Sequence, residues 1–276
     1  MRTSLFVQIS DTHIREPGRL AYNRLDTAPY LSQAVKSVGT LPQPALAVVM
    51  TGDLTDFGRE AEYAHLRSLL APFSGQVYLM PGNHDDRAQL RKSFPEHSYL
   101  GTEGFIQYTV KIGPVRLIAL DTVVHGQSHG GLCAERLNWL AETLEKYSAE
   151  PVVIAMHHPP FKTLIGHMDK IGLLEGSAEL EAIVRRHSNI ERIICGHLHR
   201  AIDVRFGGTI ASTTPSPAHQ VCLDLDASAE PAWSLEPPGY RVHAWDDASS
   251  RLVTHTICVG DFEGPYPFHM DGVLID

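Results

Sequence analysis

Residues 45–56 read ALAVVMTGDLTD. The unbroken apolar run is the pattern of a strand buried on both faces. A carboxylate, Asp53, follows directly where that strand must end. The same arrangement recurs along the chain. LFVQI at 5–9 leads into Asp11 and His13, and VYLM at 77–80 into Asn83, His84 and Asp85. VVIAM at 152–156 leads into His157 and His158, and RIIC at 192–195 into His197 and His199. In open α/β sheets ligands bind beyond the carboxyl ends of the strands. These strand ends therefore deliver carboxylate, amide and imidazole groups toward one edge of the molecule.

Helical patterns separate the strands, at Thr27–Val38, Glu60–Leu70, Asp86–Phe94, Glu135–Tyr147 and Ala178–His187. Such alternation predicts a largely parallel sheet with helices on its faces. Phe105–Lys111 and Val115–Leu120 flank Gly113-Pro114 and read as a hairpin, so the sheet is mixed. Beyond residue 200 the pattern changes to short strands at Ala201–Phe206, Thr209–Ser212, Tyr240–Trp245 and Leu252–Val259. Asp224–Gly239, rich in Pro, Ala, Ser and Glu, reads as an insertion, and the chain after Gly260 as irregular. The division expected is a catalytic core over 1–221, a cap or dimerisation insertion over 222–240, and returning strands with a tail over 241–276.

The chain has 276 residues, 43% of them hydrophobic, enough for a sizeable core without disulfides. Its formal charge of −9 argues against a nucleic-acid polymer as partner, which wants basic stripes. It leaves room for a small anionic substrate, since bound cations reverse the field locally. There are 16 His but only 4 Cys, and no C-x-x-C, so imidazole and carboxylate are the expected metal donors. No leader pattern and no membrane-spanning run is visible, which predicts a cytoplasmic protein with reduced thiols and no membrane partner.

Taken singly, an Asp after a strand is usually a cap or turn residue, and a lone His a satisfied structural group. The coincidence at five strand ends is what argues for a site. Asp11-x-His13 and His197-x-His199 each place two ligands on one side of an extended segment. Asp53 has two oxygens and can bridge two cations. Asn83 offers a neutral, weaker oxygen. Mixed oxygen and nitrogen donors suit Mn, Fe, Co or Zn better than Mg or Ca.

The blocks Asp11-Thr12-His13, Gly52-Asp53-Leu54-Thr55-Asp56, Gly82-Asn83-His84-Asp85, His157-His158-Pro159-Pro160 and Gly196-His197-Leu198-His199 resemble, in order, those of the calcineurin-like metallophosphoesterases. Asn83-His84-Asp85-Asp86, the paired His before Pro159-Pro160, and Pro217-Ala218-His219-Gln220 are most similar to the class III cyclic-nucleotide phosphodiesterase and bacterial glycerophosphodiesterase branch. The resemblance implies a four-layer α/β/β/α sandwich with two mixed sheets and a small C-terminal cap or dimerisation insertion. It implies a binuclear centre of divalent or mixed-valence transition metals, with Asp11, His13, Asp53 and His199 on one ion. Asp53, Asn83, His157 and His197 would hold the other. His84 would contact the phosphate, with Asn83 and His219 beside the substrate. It further implies hydrolysis of small phosphodiesters, such as 3′,5′-cAMP or glycerophosphodiesters, by a hydroxide held on the metals. A homodimer or higher homo-oligomer would form through Asp224–Gly239, with Trp233 as its anchor.

His84 and Asp53 are thus the expected catalytic residues, the imidazole donating a proton to the leaving oxygen. Asp85 or Asp56 would orient a histidine from behind. His158 reads as a supporting residue, and Cys195 as a buried strand thiol without a nucleophilic role. His125, His129, His167, Arg15, Tyr22 and Asn23 read as solvated loop residues. The alternatives are a phosphomonoesterase or phosphonate monoester hydrolase on the same site, and more remotely a non-catalytic metal-dependent scaffold.

Overall fold

The computed structural model describes residues 4–275. The first apolar run forms β1 (Ser4–Ile9), the middle strand of a five-stranded sheet. The order is β15 (Arg251–Cys258), β14 (Gly239–Asp246), β1, β2 (Ala47–Met50) and β3 (Gln76–Leu79). β1, β2 and β3 are parallel, and β14 runs antiparallel to both β1 and β15. The second sheet has six strands, ordered β10 (Ile202–Phe206), β11 (Thr209–Thr213), β9 (Ile190–Cys195), β7 (Val152–Met156), β5 (Val115–Leu120) and β4 (Tyr108–Ile112). Its interior is parallel and both edge strands are antiparallel.

Side-chain alternation sorts the layers. Leu117 and Ala119 of β5 pack inward against the first sheet, in one core with Val49, Ile9 and Val242. Ile118 and Leu120 point the other way, onto Leu137, Leu140 and Leu144 of α4 (Ala134–Lys146) and Leu180 and Ile183 of α6 (Ser177–Val184). The outer face of the first sheet meets Leu31 and Val38 of α1 (Ala28–Gly39), Tyr63 and Leu66 of α2 (Glu60–Leu70) and Leu90 of α3 (Arg87–Ser93). The result is the α/β/β/α sandwich with two mixed sheets. Across the two sheets, Arg241 of β14 makes a two-pronged ion pair with Asp203 of β10 at 2.8 and 3.0 Å.

Several ends differ from the sequence reading for local reasons. The hairpin begins at Tyr108 because the Ile106 amide is taken by the Asp121 carboxylate at 2.9 Å instead of a ladder partner. Helix α6 stops at Val184 because Arg186 and His187 tighten into i→i−3 bonds. Short pieces went unforeseen: α5 (Gly166–Asp169), the pair β6 (Gly130–Gly131) and β8 (Leu173–Glu175), and the pair β12 (Gln220–Val221) and β13 (Trp233–Ser234). The tail carries a small hairpin of β16 (His269–Met270) and β17 (Val273–Leu274), with Phe262, Tyr266 and Phe268 exposed. Among the described residues, no helix is long and apolar enough to cross a membrane.

Candidate metal centre

Asp11, His13, Asp53, His197 and His199 all have left-handed backbones, with φ of 57°, 43°, 48°, 70° and 51°. Non-glycine residues avoid this region, and it persists where surrounding structure over-determines it. The pairs Asp11/His13 and His197/His199 therefore converge by left-handed turns. This corrects the expectation of extended alternation. The turns are held by pairing between loops: Asp11 N donates to Gly52 O, and His13 N to Asp53 O, both at 3.0 Å. His197 N donates to the Asp11 carboxylate at 2.9 Å, and His84 N to Asp53 Oδ1 at 2.9 Å. Gly82 is required by close approach, since a Cβ there would lie 2.3 Å from both Asp53 N and Asp53 Oδ1.

Three of the imidazoles are oriented from behind. His13 Nδ1 faces Asp56 Oδ1 at 3.2 Å, His157 Nδ1 faces Thr51 O at 2.8 Å, and His199 Nδ1 faces His219 O at 3.1 Å. Each of these partners can only accept, so Nδ1 carries the proton and Nε2 presents a lone pair. Those lone pairs point at other acceptors. His13 Nε2 lies 3.3 Å from His199 Nε2. His157 Nε2 lies 3.1 Å from Asn83 Oδ1 and 3.3 Å from Asp53 Oδ2. His197 Nε2 is buried with no partner among the described residues. Converging acceptors of this kind call for a cation. The donors of Asp11, Asp53 and His157, of His13, Asp53 and His84, and of His13, His199 and His219, form groups each within 4.8 Å and able to hold a metal ion. The residues present thus fit a metal centre.

The charge states of Asp53, His197 and His199 agree with that, whereas an ion at Asp11 or His157 would displace a proton. Burial works against an ionised Asp53, yet His157 and His84 hold its carboxyl well below the usual range. Burial pushes Asp11 up to about 6. Burial drives His197 down to about 3 and His199 well below its ordinary value, so both stay neutral donors. His157 differs: burial opposes its charge, but Asp53 and Asp11 outweigh this and raise it to about 9.

Asp56, not Asp85, stands behind the histidines. It faces His13 through its carboxylate, and its carbonyl oxygen accepts from His84 Nδ1 at 2.8 Å. Arg15 steadies Asp56 with Nη1 at 3.3 Å. Asp85 instead ties the loops together, accepting from the Leu54 and Gly82 amides and the Tyr63 hydroxyl at 3.0, 2.9 and 2.9 Å. His158 lies against the His157 and His197 rings, with Nδ1 at 2.8 Å from Thr122 Oγ1 and Nε2 at 3.1 Å from Ser128 O. Cys195 is fully buried, and burial pushes its thiol up.

A cavity of about 280 Å³ opens over these groups. His13, Asp53, Asn83, His84, His197, His199 and His219 form its floor, and Tyr22, His167, Met168, Ile171, Val221 and Trp233 its walls. Tyr22 and His167 are thus wall residues and not merely solvated loop residues. The Tyr22 hydroxyl bonds His219 Nε2 at 3.1 Å, and the Trp233 ring sits 5.5 Å from the rings of both. Trp233 is brought there by pairing with Val221 across β12 and β13. His125 is exposed in a turn, as expected.

Residues 4–201 match the model of the calcineurin-like phosphoesterase family. The chain is 38% identical over 274 residues to a probable glycerophosphodiester phosphodiesterase of Arcobacter nitrofigilis, covering 99% of this chain and 100% of that one. It is 34% identical to a cAMP/cGMP dual specificity phosphodiesterase of Mycobacterium tuberculosis, covering 95% of this chain and 83% of that one. In fold it is similar to a dimetal phosphatase from Danio rerio, with a TM-score of 0.63 at 17% identity, covering 93% and 99% of the two chains. The chain belongs to the calcineurin-like phosphoesterase family.

Proposed function

We propose that this protein is a two-metal phosphodiesterase that hydrolyses small phosphodiesters, with cyclic nucleotides and glycerophosphodiesters as the substrate classes. The observation that carries the reading is the convergence of buried Nε2 atoms on two carboxylates, those of His13 and His157 on Asp53 and that of His199 on Asp11, with the unpartnered His197 Nε2 beside them. Asp11, His13, Asp53 and His199 hold one ion in this reading, and Asp53, Asn83, His157 and His197 the other. The mixed donor set suits Mn, Fe, Zn or Co. When bound, the pair supplies Lewis-acid neutralisation of the phosphoryl oxygens and lowers the pKa of water.

The chain's own groups do the rest. His84 donates Nδ1–H to Asp56 O, which turns Nε2 toward the cavity. In its imidazolium form it passes the Nε2 proton to the departing oxygen. Among the described residues, the walls carry no Lys or Arg. A dianionic monoester would want such extra cationic donors, whereas a diester monoanion with an uncharged substituent does not. Tyr22, Trp233, Met168 and Ile171 offer that substituent an apolar and aromatic surface. The relatives named above carry the names of a glycerophosphodiester and a cAMP/cGMP phosphodiesterase, which supports the choice.

Residues 222–240 serve as a cap in this reading, since Trp233 reaches the cavity rim. Leu223, Leu225 and Leu235 lie exposed along it, which supports a homodimer or higher oligomer formed through the cap. Light scattering on Leu225→Asp/Leu235→Asp tests that, with a monomer expected. For the activity, the Mn²⁺-loaded protein is assayed on an aryl phosphodiester, its monoester, 3′,5′-cAMP and glycerophosphoethanolamine. Preference for the diesters is expected. Preference for the monoester overturns the reading.

A further inference from the structure

The candidate ligands come from two different sheets, and one buried side chain lies at the seam between their strand ends. Gln8 of β1 is fully buried. Its Nε2 donates to Thr51 Oγ1 at 3.0 Å and to Cys195 O at 2.9 Å. Its Oε1 accepts from His243 Nε2 at 3.3 Å, and His243 Nδ1 in turn meets Thr254 Oγ1 at 2.9 Å. Both donor bonds and the acceptor of this amide are therefore used inside the protein.

Each partner stands next to the metal centre in sequence. Thr51 directly follows β2, just ahead of Gly52-Asp53, and its carbonyl accepts from His157 Nδ1 at 2.8 Å. Cys195 closes β9 just ahead of Gly196-His197. The seam is tight: a Cβ on Gly196 would lie 2.1 Å from Ser10 Oγ and 2.8 Å from Thr51 O. Apolar packing is non-directional and does not by itself fix the offset of one strand end against another. Directional hydrogen bonds in a low-dielectric interior do.

We propose that Gln8 is a positioning residue for the metal centre: its amide fixes the first sheet's strand end against the second sheet's, so that Asp53 meets His157 and Asp11 meets His197. This rests on the two-metal reading above. His243 and Thr254 lie outside the 4–201 segment matched by the family model, so β14 and β15 take part in building the centre through the same chain of bonds.

The test is Gln8→Met, which keeps the length of the side chain and removes its hydrogen bonds. Metal binding is read by calorimetry with Mn²⁺, and site geometry by the visible absorption of the Co²⁺-loaded protein. Loss of an outer partner typically costs 10–100-fold in metal affinity. The variant is expected to bind the more weakly held ion at least about tenfold less tightly, with an altered Co²⁺ spectrum and a fall in kcat larger than any change in KM. Wild-type affinity and spectrum in Gln8→Met, with or without a lower Tm, overturn the proposal and leave Gln8 a structural residue. If that variant does not fold, Thr51→Val, which removes one bond at the same seam, is expected to alter the Co²⁺ spectrum, and an unchanged spectrum overturns the proposal. A wild-type protein that binds fewer than two ions overturns the two-metal reading itself, a result distinct from either of these.

Discussion

His13 Nε2 and His199 Nε2 lie 3.3 Å apart, and the Nδ1 of each ring is committed elsewhere, to Asp56 and to the His219 carbonyl. Burial works against a charge on His13, but Asp56 and Asp53 raise its pKa, so a proton or a cation between the two rings relieves their facing lone pairs. In the two-metal reading a shared cation takes that place. The predictions below follow from this arrangement and from the groups around it.

Asp53 faces both sets of donors, at 3.7 Å from His13 Nε2 and 3.3 Å from His157 Nε2. Asp53→Ala therefore removes both ions and not one. Metal content by inductively coupled plasma spectrometry checks this. A variant that retains one full equivalent argues against a bridging carboxylate.

In the proposed reading His84 moves a proton and does not hold an ion alone. His84→Ala is expected to keep both metals and lose about 10²–10⁴-fold in kcat for diesters with poor leaving groups. Diesters with very acidic leaving groups, which need no proton, should lose much less. An equal loss on both substrates, or a drop in metal content, contradicts the assigned role.

Trp233 closes the aromatic side of the cavity with Tyr22 and His219. Base–aromatic stacking contributes about 1–3 kcal/mol. Trp233→Ala should accordingly lower kcat/KM for 3′,5′-cAMP by about tenfold relative to that for glycerophosphoethanolamine, with Trp233→Phe recovering most of the ratio. Equal losses on the two substrates would show that the ring only supports its neighbours.

Asp203 links β10 to β14 through Arg241. Burial works against its charge, but the Arg241 and Arg192 guanidinium groups hold its carboxyl below the ordinary value. A depressed carboxylate contributes stability above its unfolded pKa of about 3.9, lost as pH falls through the lower folded value. Asp203→Asn should therefore be less stable than the wild type at neutral pH, and the two denaturation midpoints should converge in acid below that window. The carboxylate is half exposed, so the gap is small. A gap that persists undiminished in acid would point to packing and not to charge.

The candidate ligands were legible in the sequence because each follows an apolar run that can only be a buried strand. The rule has a limit, and Asp121 shows it. Asp121 follows β5 in the same way, yet its carboxylate forms a two-pronged ion pair with Arg87 at 2.6 and 2.7 Å and takes the Ile106 and Val123 amides. It organises a loop, and among the described residues its hydrogen bonds reach no candidate ligand. The sandwich was legible from strand–helix alternation together with the resemblance. The backbone at Asp11, His13, His197 and His199 was not, since alternation along an extended strand and a left-handed turn can aim side chains alike. Tyr22 and Trp233 were out of reach for another reason. Their place depends on a loop turned at φ 52° and on a two-residue strand pair, neither of which has a periodic signal. His158 was read as a supporting residue, and its partners Thr122 and Ser128 come from a different strand end and loop.

The central claim is that two metal ions share Asp53. Crystals grown with Mn²⁺ and measured at the manganese absorption edge test it directly. The account predicts two anomalous peaks about 3.5–4 Å apart, one on each side of the Asp53 carboxylate, with His13 and His199 on one and His157 and His197 on the other. A single peak, or two peaks that do not share Asp53, would contradict it.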